Sequence, residues 1–186
     1  EKKLEEEGYK KQPVTVADTT DSVSGVDGIV CLGTFSKSHI DTISQWEKPT
    51  VFIDANPDPL KFDSIVVDYK NAVNCIVDYF VENGHKKIGF IGALDCDQDG
   101  DEVVDLRKDI FMKAMTKKGL YHDEYVKIGS YHARDGYKLL KQLYEEGNLP
   151  TALFVANDSM AVGAYKAAYE LGLSIPGDIS MIGFND

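Results

Sequence analysis

The chain has 186 residues, 20 basic and 31 acidic, for a net charge of −11, and 43% of it is aliphatic or aromatic. That length can bury a real core and holds one or two subdomains. The acidic balance repels phosphate backbones and argues against nucleic-acid binding by this chain unaided.

In chain order, residues 1–9 read as a charged helix end closed by Gly8. Residues 14–17 are a short strand candidate, followed by a polar loop through Gly25. Residues 26–33 read as a strongly buried strand, 36–46 as a helix, and 49–53 as a strand ending in Asp54. The prolines of Asn56-Pro57-Asp58-Pro59 exclude regular structure there. Residues 65–67 are a β-branched run, after which Ala72, Ile76, Tyr79 and Phe80 recur at helical spacing up to Gly84. A second alternating series follows: strand at 88–91, helix at 103–115, strand at 126–128 and helix at 135–144. Strands separated by helices, with no succession of hairpins, predict an α/β doubly wound fold with mostly parallel sheets. Two such series predict two lobes, residues 1–67 and 68–186, crossing at the Ile65 run.

The last segment, ALFVANDSMAVGAYKAAYELGLSIPGDISMIGFND, is a strand–helix–strand unit. Residues 152–155 are apolar enough for a buried strand. Asn157, Asp158 and Ser159 carry N-cap chemistry, and Met160, Ala161, Ala164, Tyr165, Ala168 and Leu171 recur at helical spacing until Gly172 stops them. Pro176 and Gly177 turn the chain into a second buried strand at 179–184. Parallel sheets bind ligands beyond the carboxyl ends of their strands, which is where Asn157, Asn185 and Asp186 fall. An amide both donates and accepts, so it suits neighbouring hydroxyls; capping suffices for Asp158 and Ser159, while Asn157 and Asn185 are read as ligand groups.

Cys31, Cys75 and Cys96 form no CxxC pair, and the first two sit in apolar-patterned segments as packing residues. This usage fits a reducing cytoplasm better than secretion. The acidic run from Asp95 to Asp101 opens like a calcium loop, but Leu106 stands at the twelfth position, where a bidentate glutamate is needed, and a strand precedes it. It is read as a solvated loop. His39, His85, His122 and His132 lack metal-ligand spacing, and no GxSxG elbow, GxGxxG turn or Walker loop occurs. Neither metal, cofactor nor catalysis is expected.

VANDSMAVGA followed by IPGDISMIGFND resembles the effector-binding domain of the LacI/GalR family of bacterial transcription repressors, with VDGIV at 26–30 and ENGHKKIGFIG at 82–92 in register upstream. The resemblance implies a two-lobed, periplasmic-binding-protein-like fold and a sugar-sensing role, with galactose or a galactoside as candidate effector. It also implies a cytoplasmic homodimer, with no membrane association. Family members begin with a helix-turn-helix module that this sequence does not contain. Their sensor domains also have an earlier first strand and continue beyond GFND, so the chain reads as a fragment, and operator DNA would be met only through the missing module. Arg107 in LRKDIF matches the family arginine that binds effector hydroxyls; Asp54 matches a carboxylate at the cleft, one that could also orient Arg107. Tyr131 matches the aromatic that stacks on the sugar. Asn157 matches the asparagine of the family's AND motif, and Asn185 stands where many relatives carry aspartate. The alternative function is a sugar-binding component of an ABC transporter, which shares the architecture.

Overall fold

The computed structural model describes residues 6–10, 12–13, 23–96, 102–103 and 105–185. The expected strand at 14–17, the first five residues of the N-terminal helix end, most of the acidic loop (97–101) and Asp186 lie outside the described residues. The chain divides into two compact units, with the change at Val67 and Asp68.

In the first unit, β1 (Ile29–Leu32), α1 (Lys37–Gln45), β2 (Thr50–Ile53) and β3 (Asp63–Ile65) follow one another, and the strands form a parallel sheet in that order. Ser36 caps α1 by accepting the His39 amide. Alternation along the strands sends Cys31 and Phe52 to one face, where they pack with Val23, Ile43 and Trp46. Phe35 and Phe62 meet the Phe52 ring edge-on at 5.4 and 5.1 Å. Burial pushes the Cys31 thiol up to about 11.

The buried strand expected at 26–33 is shorter than its apolar run and buried on one face only. Val30 and Leu32 are 55% and 65% exposed. They lie in register with Val51 and Ile53, on the face opposite Phe52, and α1 packs on the Phe52 side. The run at 65–67 contributes only Ile65 to β3; Val66 and Val67 carry the chain onward with about half their surface in solvent.

The second unit begins with α2 (Tyr69–Glu82), capped by Asp68, and β4 (Ile88–Ala93). An antiparallel pair, β5 (Asp95–Cys96) with β6 (Glu102–Val103), flanks the acidic segment that the sequence suggested was all loop. Then come α3 (Leu106–Lys117), β7 (Val126–Gly129), α4 (Ala133–Glu145), β8 (Ala152–Val155), α5 (Asp158–Glu170) and β9 (Ser180–Ile182). The helix expected from 103 starts three residues later, because Asp105 accepts the Arg107 amide and sets the first turn. The strand expected at 179–184 is confined to three residues.

β7, β4, β8 and β9 form an all-parallel sheet in that order. Every residue of β4 and β8 is buried, as expected of central strands covered on both faces. Ile88, Phe90, Ala152 and Phe154 meet Val73, Val77 and Phe80 of α2 and Phe111, Ala114 and Met115 of α3. On the other side Ile91, Ala93, Leu153 and Val155 meet Leu140 and Leu143 of α4 and the alanine-rich face of α5. The apolar stripe of α2 is Val73–Val77–Phe80, one residue round from the expected one, so Tyr79 is 58% exposed. Cys75, read as a packing residue, is exposed between Val73 and Val77 on the far side of that helix. Tyr165 likewise points outward from α5.

α4 and α5 approach backbone to backbone. A Cβ on Gly136 would lie 2.0 Å from the Met160 carbonyl oxygen, and one on Gly163 would lie 1.8 Å from that of Ala133. Neither position can hold any other residue without moving a helix. Among the described residues no helix is long and apolar enough to cross a membrane.

Candidate functional site

The order β7-β4-β8-β9 reverses direction between β4 and β8: the connection from β4 leads to one neighbour, that from β8 to the other. Such a switch point opens a crevice beyond the strand ends. Arg107 spans it. It stands in the first turn of α3, reached from β4, and its Nη1 donates to the Ala156 carbonyl, just past β8, at 2.7 Å. Nη2 donates to the Tyr131 hydroxyl at 2.7 Å and Nε to Asp105 Oδ1 at 3.0 Å. The Tyr131 hydroxyl lies 3.4 Å from Asp105 Oδ2, closing a small network.

Asp105 and Arg107 are both buried, at 8% and 9% exposure. A buried guanidinium is tolerable only with a counter-charge and satisfied donors, and Asp105 supplies the charge. Burial alone would lower the Arg107 pKa, but the hydrogen bond and charge of Asp105, with contributions from Tyr131 and Tyr69, raise it above the ordinary value. The arginine is a permanent cation. Within this unit the carboxylate that orients it is Asp105.

Tyr131 follows β7 and is half-buried; its ring centroid lies 5.3 Å from the Arg107 guanidinium carbon. Tyr69 and Phe184 each lie 5.8 Å from the same atom, all within cation–π range. Asn157 is the N-cap of α5, accepting the Met160 amide on Oδ1 at 2.8 Å, while Nδ2 donates to the Tyr131 carbonyl at 3.4 Å. The capping expected of Asp158 and Ser159 thus falls to Asn157, and those two residues are the helix's first turn. Asn185 is exposed, follows β9 and has φ +102°. With Asp158, Gly183 and Phe184 it lines an open cleft of about 420 Å³. Gly183 is required there, since a Cβ would meet Asp158 Oδ1 at 2.1 Å.

The second unit therefore gathers Arg107, Tyr131 and Asn157 directly, and Asn185 through its neighbour Phe184. Asp54 belongs to the first unit, at the end of β2, with φ +67°. Sequence reasoning missed Tyr69, Phe184 and the buried place of Asp105. The signal for Asp105 was an N-cap carboxylate two residues before a helical arginine; for Phe184 it was an aromatic within GFND.

At the end of β7, Ser130 Oγ contacts both His132 Nδ1 (3.0 Å) and the Asp135 carboxylate. The carboxylate sits on the serine and not on the histidine, the reverse of a nucleophile–base–acid order. The Ser130 bonds also pull the Asp135 pKa down, so the cluster serves as an anionic brace for the first turn of α4. Among the described residues no group of three or more His, Cys, Asp or Glu side chains could hold a metal ion.

Residues 77–186 match the family model of the periplasmic binding protein-like domain. The HTH-type transcriptional repressor MelR of Bacillus subtilis is 35% identical over 163 residues, covering 86% of this chain and 47% of that protein. The HTH-type transcriptional regulator GalR of Lacticaseibacillus casei is 31% identical over 183 residues, covering 96% and 55%. Among solved structures, a LacI-family sugar-binding transcriptional regulator from Escherichia coli, complexed with phosphate, superposes with a TM-score of 0.74 at 26% identity, covering 86% of this chain and 57% of that one. The chain belongs to the periplasmic binding protein-like domain family, with the α/β, mostly parallel architecture of that class. Within it, its relatives are regulators of the LacI/GalR type, and the chain spans about half the length of the curated relatives it matches.

Proposed function

We propose that this chain is the sugar-sensing part of a bacterial transcription repressor controlling carbohydrate utilisation. One observation carries the reading: a buried, permanently charged arginine bridges the switch point of a parallel sheet, flanked by three aromatic rings and bonded to Tyr131, whose carbonyl takes the Asn157 amide. Three of its donors are engaged, and a guanidinium has five, so two are left for hydroxyls. Asn157 and Asn185 add amides that donate and accept. Asp54, a strand-end carboxylate of the first unit, is kept in the ligand set on the sequence match. The site recognises without turnover, and no cofactor enters. The relatives are regulators, which supports this reading over a transporter component.

In this reading the effector is a sugar, galactose or a galactoside first among candidates. Operator DNA is met through a helix-turn-helix module such as the relatives' names imply, in the cytoplasm. The repressor is a homodimer, for which the exposed row Val162, Tyr165 and Tyr169 on α5 offers an apolar contact surface. Sugar would favour one arrangement of the protein over another and so shift operator affinity.

The test is calorimetric titration with a panel of hexoses and galactosides, repeated on Arg107→Ala. Loss of bonds from a charged donor costs about 1.5–3 kcal/mol each, so affinity for the best sugar should fall by one to two decades or more. Equal binding by parent and variant, with melting unchanged, would remove Arg107 and this site from the reading.

A further inference from the structure

The sequence pointed to Tyr131 as the aromatic that receives the sugar. Its hydroxyl, however, is committed to Arg107 and Asp105, which fixes the ring as part of the arginine's support. A second aromatic surface is present. The Tyr69 and Phe184 centroids are 5.7 Å apart, their planes inclined by 31°, and each lies 5.8 Å from the Arg107 guanidinium carbon. Those three lengths make a nearly equilateral triangle. Rings sandwiching the guanidinium on opposite faces would be almost twice as far from each other, so Tyr69 and Phe184 lie together on one side of it. At 5.7 Å the two rings are offset in a step, and both flank the cation.

Both rings are half-buried and so retain accessible surface. Phe184 also lines the open cleft with Asn185, Asp158 and Gly183. Tyr69 is held by its place in the first turn of α2, directly after the Asp68 cap, where Asp68 Oδ1 accepts the Asn71 amide at 2.9 Å. A pyranose offers hydroxyls around its edge and a patch of C–H on one face. An arginine edge beside an aromatic floor matches that division.

We propose that Tyr69 and Phe184 form the platform on which the sugar's C–H face rests, making Tyr69 a further ligand-binding residue of the site. The proposal rests on the sugar-sensing reading and adds its orientation: the ring plane lies along the Tyr69–Phe184 surface, with the edge hydroxyls turned toward Arg107. Galactose, whose axial O4 leaves the C3, C4 and C5 hydrogens on one face, suits this floor better than glucose does.

The experiment uses Tyr69→Leu and Tyr69→Phe in the full chain, titrated with D-galactose, methyl β-D-galactoside and D-glucose. The Arg107 Nε–H resonance is followed by NMR, and melting is recorded to confirm folding. Tyr69→Leu is expected to weaken galactose and galactoside binding about tenfold, and glucose binding less, while Tyr69→Phe stays near the parent. Removing the ring should also shift the Arg107 Nε–H signal in the ligand-free chain. Galactoside affinity that survives Tyr69→Leu in a folded chain overturns the platform and leaves the sugar reading standing. A parent chain that binds none of the three probes overturns both, and an Arg107 signal unmoved by Tyr69→Leu overturns the ring geometry itself.

Discussion

Asp105 does two jobs with one carboxylate. Oδ1 accepts both the backbone amide and the Nε of Arg107, so the group that starts α3 also fixes the arginine's direction. The two jobs separate by substitution. An asparagine in its place would still cap, since asparagine ranks with aspartate at helix N-termini, but it would leave the buried guanidinium without its counter-charge. Asp105→Asn should therefore destabilise the fold by about 1–3 kcal/mol, and Asp105→Ala by about 1 kcal/mol more for the lost cap. Urea unfolding at neutral pH measures both; equal losses would mean that the cap contributes nothing. Asn157 and Asn185 stood out in the sequence because each follows a recognisable strand, and Arg107, Asp54 and Tyr131 because they match family positions. Tyr69 did not, because its relation to Arg107 exists only after α2 and α3 pack on the same sheet face, 38 residues apart in the chain.

At the scale of elements, local signals located most pieces and misjudged their faces. Apolar runs marked β4 and β8 well because both faces of those strands are covered, so no alternation is imposed. The same kind of run misled at β1, where only the Cys31 face is covered and the reading could not tell which neighbour would be present. The close approach of α4 to α5 was also invisible, because glycine within a helix registers in a sequence only as a weak helix former. In an exposed helix, glycine to alanine would stabilise by up to ~1 kcal/mol. Here the added methyl group meets a carbonyl oxygen, so Gly163→Ala should instead destabilise by about 1–3 kcal/mol or more, and Gly136→Ala similarly. Thermal melting with circular dichroism distinguishes the two signs directly.

At the scale of the whole molecule, the two units differ in how completely their sheets are covered. The second has a core on each face of its sheet; the described core of the first lies on one face. Protection from hydrogen exchange follows the depth of burial and the number of supporting contacts. Amides of β4 and β8 should exchange last, and those of β1 and β3 well before them, in mass-spectrometric exchange of the intact chain. Uniform protection across both sheets would show that coverage does not set local stability here.

The bridge from Arg107 to the Ala156 carbonyl has a kinetic consequence. An arginine side chain carries a large rotamer entropy, and a binding protein that must freeze one at the moment of capture forfeits part of its affinity and slows productive encounters. In this molecule the chain's own groups, three bonds and three rings, hold the guanidinium, so capture of a ligand need not freeze it. Encounter rates should then be similar for all sugars that fit, and preference among them should be written in how long each one stays.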